Sequence, residues 1–282
     1  MTEVSEIMSS PVFIVSARDN IARARNLMLR NGISRLAVMD GGDLKGIVTK
    51  KDIALRLNQS EPQWRRRPLD QIPVELVMTH DTITVPPGME IQEAASLMLC
   101  NKISDVLVYN EGVQGIVTKH DMVKYFALLG CPLKVGDMMT SKVITVSRHH
   151  TINSVMDIMA ENEVDRVVVV DGGVEANSYV GLITLDDLGF VEIDPRNTKP
   201  IKEVHKATAA GPKMFHAIRK TMLVAEDVMS TPLEFVAEKT PSLEAAKIMI
   251  EHNYDMLPVI DDTLRGEFTY ENILEWLSEA KE

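Results

Sequence analysis

A threonine followed three residues later by a carboxylate or an amide recurs four times, each time behind a short run that opens on glycine. The copies read Gly46-Ile47-Val48-Thr49-Lys50-Lys51-Asp52, Gly115-Ile116-Val117-Thr118-Lys119-His120-Asp121, Gly181-Leu182-Ile183-Thr184-Leu185-Asp186-Asp187 and Gly266-Glu267-Phe268-Thr269-Tyr270-Glu271-Asn272. The apolar pair in three of them predicts a short buried strand, the glycine the end of a tight turn, and the Asp or Asn the start of a helix. A hydroxyl and a carboxylate are thereby held on one strand-to-helix corner. An ionised carboxylate accepts hydrogen bonds at two oxygens, which suits the vicinal hydroxyls of a sugar. The helix N-terminus behind it offers amides to an anion. The candidate ribose- and phosphate-binding residues are therefore Thr49 and Asp52, Thr118 and Asp121, and Thr184 and Asp187. Thr269 and Asn272 form a weaker fourth corner, because an amide is neutral and Glu267 brings a charge where the other copies carry Ile or Leu. Asp is also a preferred helix cap, and capping and ligand binding are compatible.

A phosphate needs cations. Lys50, Lys51, Lys119 and His120 stand at the corners themselves. Arg35 and Arg166 precede the second strand of copies one and three at one shared register, where copies two and four carry Asp105 and Met256. Each of these is otherwise a solvated surface charge. His149-His150 has no further His or Cys at ligand spacing, so no metal site is expected. No nucleophile elbow, no Walker loop and no convincing Cys–His pairing is present, so no catalytic residue is assigned.

The elements that must position these corners repeat as well. Each copy opens on an apolar-Met-Ser/Thr phrase, at Ile7-Met8-Ser9, Val77-Met78-Thr79, Met138-Met139-Thr140 and Val228-Met229-Ser230. A strand pattern follows, at Val12 to Val15, Thr82 to Val85, Val143 to Val146 and Leu233 to Val236. An amphipathic helix then carries Met28, Met98, Met159 or Met249, twenty residues after the opening methionine in every copy. A second strand and an Asp/Asn/Gly-rich turn lead to the corner, a hairpin signature. The unit is β-α-β-β-α, an α/β (α+β) fold, and is too small to bury much surface alone. The expected divisions are 1–57, 72–128 and 133–190 for the first three units, 191–224 for a basic insert and 225–282 for the fourth. Trp64-Arg65-Arg66-Arg67 marks a basic join between units one and two. Met214, Phe215, Ile218 and Met222 give the insert a helical spacing.

Bulk composition narrows the class. A net charge of -11 argues against nucleic acid as a partner. Cys100 and Cys131, both in apolar surroundings, fit a reduced, cytoplasmic protein. The first ten residues carry acids and no apolar run, so no signal peptide is expected, and no stretch reaches the roughly 18–20 apolar residues of a membrane span.

Four such units in register resemble cystathionine-β-synthase (CBS) domains. The opening Met-Ser/Thr, the helix with its Ala and Met, the Val-rich strand and the Gly-apolar-apolar-Thr-x-x-Asp corner all match in order. The layout is similar to the gamma subunit of AMP-activated protein kinase and to stand-alone archaeal and bacterial proteins. The resemblance implies two tandem pairs, packed as a disc within one chain or not. It also implies a regulatory energy-sensing role, with AMP, ADP, ATP or S-adenosylmethionine as ligand in clefts between paired units and with a protein partner that reads the change. The family's ribose-binding aspartate maps onto Asp52, Asp121 and Asp187. Arg35 and Arg166 fall where the kinase gamma subunit has phosphate-contacting arginines in some repeats. An interaction scaffold with vestigial corners is the second reading, slow nucleotide turnover the third, and a homodimer is an open assembly state.

Overall fold

A computed structural model of the chain describes residues 2–58, 68–171, 179–188 and 223–280, with the backbone alone of 206–208 and 211–213. The basic join at 64–67, the helical spacing at 214–222 and the tip of the third hairpin lie outside the described residues.

The first unit comprises α1 (Val4–Ile7), β1 (Ile14–Ser16), α2 (Ile21–Asn31), β2 (Arg35–Asp40), β3 (Asp43–Thr49) and α3 (Lys50–Asn58). The second begins with a 3-10 turn over Val74–Leu76 and continues as β4 (Thr79–His80), β5 (Thr84–Val85), α4 (Ile91–Cys100), β6 (Asp105–Tyr109), β7 (Val113–Thr118) and α5 (Lys119–Phe126). The third holds α6 (Val135–Met138), β8 (Thr145–Ser147), α7 (Ile152–Glu161), β9 (Arg166–Val170), β10 (Tyr179–Thr184) and α8 (Leu185–Leu188). Within the insert, β11 (Lys206–Thr208) and β12 (Gly211–Lys213) pair antiparallel. The fourth unit holds α9 (Ala225–Val228), α10 (Ser242–His252), β13 (Met256–Ile260), β14 (Leu264–Thr269) and α11 (Tyr270–Glu279).

In the first three units β1, β5 and β8 pair parallel with β2, β6 and β9, which form antiparallel hairpins with β3, β7 and β10. In the fourth, the first strand is reduced to a bridge between Val236 and Val259. The paired strands start at Ile14, Thr84 and Thr145, two residues later than the sequence pattern predicts. The residue before each already accepts from its own second strand, Phe13 O from the Ala37 amide at 3.0 Å, Ile83 O from Leu107 at 3.4 Å and Ile144 O from Val168 at 3.0 Å. The helical stripe is buried as its spacing requires: Ile21, Ala24 and Met28 on α2, Ile91, Ala94 and Met98 on α4, Val155 and Met159 on α7. On α10 the first place goes to Ser242, fully buried, whose hydroxyl has no hydrogen-bond partner among the described residues. Such a group costs about 1–3 kcal/mol.

Units one and two exchange their opening segments, and so do units three and four. Ser9 bridges Ile116 of the second unit, and Thr79 pairs with Ile47 of the first. Thr140 bridges Glu267, and Ser230 bridges Leu182. The preceding turns dock likewise: Val4 donates its amide to Met89 O at 2.9 Å, Val74 to Asp19 O at 2.8 Å, Val135 to Thr240 O at 2.9 Å and Ala225 to His150 O at 2.8 Å. All four of these residues are fully buried. Met8, Met78, Met139 and Met229 therefore pack in the partner's core, whereas Met28, Met98, Met159 and Met249 pack in their own. The four helix methionines and Met78 are buried, each contributing about 1.5–3 kcal/mol, while Met8, Met139 and Met229 are partly buried against the partner's core and contribute less.

The corner glycines explain themselves here, and not as turn residues. Gly46 sits inside β3 and Gly115 inside β7, without the left-handed backbone that a turn glycine adopts. A Cβ on Gly46 would run into the Thr79 carbonyl, and one on Gly266 into the Thr140 carbonyl. At Gly115 it would meet the Met8 sulfur, and at Gly181 the Met229 sulfur at 2.7 Å. Glycine is needed because the neighbour's opening segment lies directly on the strand.

The pairs join unevenly. Units two and four share one core, in which α11 packs on α4 and α5 and Phe126 meets Trp276 edge-on at 5.2 Å. Units one and three keep separate cores and meet through α3 and α8.

Because backbone cannot retreat as a thioether can, Gly46→Ala is expected to cost about 2–3 kcal/mol of unfolding free energy and Gly181→Ala about 1 kcal/mol. Urea denaturation of the two variants measures the difference.

Candidate functional site

The helix at each corner starts just after the threonine, two residues earlier than the Asp or Asn predicts. Threonine is the cap and the acid closes a reciprocal box. Thr118 Oγ1 accepts from the Asp121 amide at 3.3 Å, while Asp121 Oδ2 accepts from the Thr118 amide at 3.0 Å and its hydroxyl at 2.7 Å. Thr49 and Asp52 repeat this at 3.2, 2.8 and 2.7 Å, and Thr184 and Asp187 at 3.3, 3.3 and 2.7 Å. The threonine proton is thereby committed to its own carboxylate, leaving an acceptor lone pair but no donor for a phosphate. One carboxylate oxygen is committed as well. The second, Oδ1, takes no hydrogen bond from the described residues in Asp52 or Asp187, and in Asp121 only a long one from Ser9 Oγ, at 3.4 Å. Lys124 Nζ lies 3.7 Å from the same Asp121 oxygen.

Asn272 keeps the box and loses the free acceptor. Its Oδ1 accepts from the Thr269 amide and hydroxyl at 2.9 and 3.0 Å, and its Nδ2 donates to Thr140 Oγ1 at 3.1 Å. Both ends of the amide are thus occupied, and the side chain is buried.

The remaining candidates converge. Thr49, Asp52, Thr118, Asp121, Thr184, Asp187 and Thr269, with Arg35, Lys50, Lys51, Lys119, His120 and Arg166, all border one cavity of about 2030 Å³, and Asn272 does not. That volume is about twice the upper end of single-ligand pockets, roughly 1,000 Å³. The opening hydroxyls of Ser9, Thr79, Thr140 and Ser230 border it too. In the sequence they read only as markers of the repeat. The signal that identifies them as cavity residues is a hydroxyl held at one position in all four openings.

The cations arrive with partners. Arg35 Nη1 reaches the Ser104 carbonyl at 3.1 Å and pairs closely with the Asp105 carboxylate. Arg166 Nη1 reaches the Asp255 carbonyl, at the equivalent place in unit four, at 2.9 Å. Both arginines therefore tie the two units of a pair together. The corner cations reach across to the other pair instead. Lys51 holds both oxygens of Asp165 at 2.7 Å, Lys119 holds Glu271 Oε1 at 2.6 Å, and His120 Nδ1 lies 2.9 Å from Tyr270 Oη. Burial, with Lys124 and Arg35 nearby, lowers the His120 pKa despite Asp121, so at neutral pH this ring is a hydrogen-bonding group more than a charge.

Acids crowd the side belonging to units three and four. Burial pushes Glu267 up to about 7, with Glu271 and Asp255 adding repulsion that Arg166 only partly offsets. Burial likewise lifts Asp186 to about 6 against the pull of Arg35 and Lys50. Burial would raise Glu271 too, but Arg166 and Lys119 outweigh it and hold the carboxyl at about 2. Burial raises Asp52 as well, despite its bonds from Thr49.

A family model for the CBS domain matches residues 4–58, 74–128, 135–188 and 224–279. The chain belongs to the CBS-domain family. Protein MJ1404 of Methanocaldococcus jannaschii is 25% identical over 285 residues, which take in 99% of this chain and 62% of that protein. Protein MJ1225 of the same organism is 28% identical over 132 residues, 44% of this chain and 47% of its own length. The chain thus spans less than two thirds of these relatives in the sequence alignments. The crystal structure of MJ1225, described there as a proposed archaeal homologue of g-AMPK, superposes with a TM-score of 0.80 at 22% identity, over 98% of this chain and 99% of that one. The CBS fold, repeated four times, is common to both. Among the described residues no helix is long and apolar enough to cross a membrane.

The Glu267 shift has a measurable sign. The folded protein holds this proton up to about pH 7, against an ordinary value of 4.5. The associated stability is full below the ordinary value and is lost as pH rises through about 7. Glu267→Gln is expected to be more stable than the parent by about 1–2 kcal/mol at pH 8 and nearly equal to it at pH 4.5. Urea titrations at the two pH values check this.

Proposed function

We propose that this CBS-domain chain is a non-catalytic, cytoplasmic regulatory protein that takes adenosine-containing ligands (AMP, ADP, ATP or S-adenosylmethionine) at its aspartate corners. The observation that carries the reading is the half-committed carboxylate. Threonine fixes Oδ2 of Asp52, Asp121 and Asp187, and all three aspartates border a large cavity that cations border too. An oxygen with two lone pairs, immobilised by its neighbour, accepts from two vicinal ribose hydroxyls without an ordering cost at binding. In this reading the threonines position the aspartates, and Arg35, Arg166, Lys50, Lys51 and Lys119 answer the phosphates, with His120 as a neutral hydrogen-bonding group. The fourth corner, Thr269 with Asn272, is the poorest site. Ligand binding shifts the paired units relative to one another, and a protein partner responds to the state the ligand prefers.

Isothermal titration with AMP, ATP and S-adenosylmethionine tests this. At least one is expected to bind, and Asp52→Asn or Asp187→Asn to weaken its own corner about tenfold, because the lost interaction is a charge-assisted hydrogen bond. Asparagine is the informative replacement, since Asn272 keeps the threonine box closed. Absence of binding for all three ligands at millimolar concentration would sink the reading.

A further inference from the structure

Glu271 stands apart among the carboxylates of the cavity. It comes from the second residue of α11, in the unit whose own corner is closed by an amide. Its two oxygens are shared between cations from two other units. Lys119 Nζ donates to Oε1 at 2.6 Å, and Arg166 Nη2 donates to Oε1 and Oε2 at 3.1 and 3.0 Å. Lys119 directly follows the corner threonine of unit two. Arg166 lies opposite the corner threonine of unit three in the β9/β10 ladder. Both cations are only 13% exposed, and both border the cavity. The other cross-pair lysine–carboxylate bridges among the described residues, Lys51 with Asp165 and Lys102 with Glu163, are 43% and 51% and 86% and 83% exposed and correspondingly weakened by solvent. A flat carboxylate held by one guanidinium and one ammonium has the geometry that a phosphate oxygen pair would take.

We propose that the Glu271 carboxylate is a tethered anion seated on the phosphate-binding cations of the second and third corners, and that it sets how strongly those corners take phosphate-bearing ligands. The proposal rests on reading the corners as nucleotide sites. A phosphate that reaches Lys119 or Arg166 must first displace Glu271. A ligand without phosphate leaves it in place. Both corners draw on the same displaced group, so release of Glu271 by a ligand at one frees a cation at the other. The fourth unit then contributes the competitor, not a fourth ligand site.

The test compares the full chain with Glu271→Gln, which keeps the side-chain size and removes the charge, by titration with adenosine, ATP and inorganic tripolyphosphate. ATP and tripolyphosphate are expected to bind about tenfold tighter to the variant, and adenosine to change by less than about twofold, the pattern of a removed charge competitor. Unchanged or weaker tripolyphosphate binding overturns the proposal, as does an equal shift for adenosine and ATP, which is what a purely structural ion pair would give. Failure of the nucleotide reading is separable: adenosine and ATP then bind neither protein, while tripolyphosphate still reports on Glu271. If Glu271→Gln does not fold, Glu271→Asp retains the charge but falls one methylene short of spanning both cations. It is expected to tighten tripolyphosphate about threefold, and no change there is equally fatal.

Discussion

The close approach of one unit's opening segment to its partner's hairpin strand is the contact on which the rest of this protein depends. It leaves no room for a Cβ at Gly46 or Gly266, and it delivers Met8, Met78, Met139 and Met229 to cores that their own units do not own. The same crossing places one unit's hydroxyl beside the other unit's corner, as with Ser9 at Asp121 and Thr140 at Asn272. Neither unit of a pair has a complete core or a complete corner alone. Only Ser10 to Phe13 separate Ser9 from β1. A change at the corner of unit two therefore has a short, direct mechanical path into the first sheet of unit one.

A second constraint is electrostatic. Lys51 and Lys119 meet Asp165 and Glu271 of the other pair, and Arg166 meets Glu271 within its own, so the cavity's positive charge is answered from within the chain. Unpaired cations gathered around one cavity would repel one another and carry a desolvation cost. Supplying carboxylates removes much of that cost and introduces another, visible in Glu267 and Asp186, which burial pushes toward neutrality. The balance leaves the cavity's cations compensated from within the chain. An anionic ligand there exchanges partners with groups already in place and brings little uncompensated charge into a buried space.

The repeat itself was plain in the sequence, because equal methionine spacing and a fourfold Thr-x-x-Asp/Asn corner are local patterns, and the hairpins, helices and buried stripes follow from them. The exchange of segments was not legible. A glycine that relieves a turn and a glycine that admits a neighbouring chain are the same letter, and Gly46 reads as the former. The helix starts were displaced for a related reason: Thr and Asp are both good caps, and only their mutual hydrogen bonds show that Thr118 is the cap and Asp121 the closing residue. The partners of the cations were beyond reach as well. Arg35 and Asp105 lie 70 residues apart, and Lys119 and Glu271 lie 152 apart, so spacing could identify a charge at a corner without showing which acid neutralises it.

The fourth corner shows the two constraints acting on one residue. Asparagine at 272 looks in the sequence like a lost ribose ligand. In its surroundings it is the residue that fits. Thr140, whose backbone pairs with Glu267, accepts from the Asn272 amide at 3.1 Å, whereas an aspartate could only accept from that hydroxyl, as Asp121 does from Ser9 at 3.4 Å. A carboxylate there would also face Thr140, the bridge partner of a Glu267 whose pKa burial and neighbouring acids already raise. An amide satisfies the threonine box, satisfies the crossing segment and adds no charge. Unit four gives up the open acceptor of the other corners. In exchange it supplies the α11 face that closes the core of unit two, and the Glu271 carboxylate that reaches into the cavity. The departure from the repeat is thus a division of labour dictated by where the fourth unit sits.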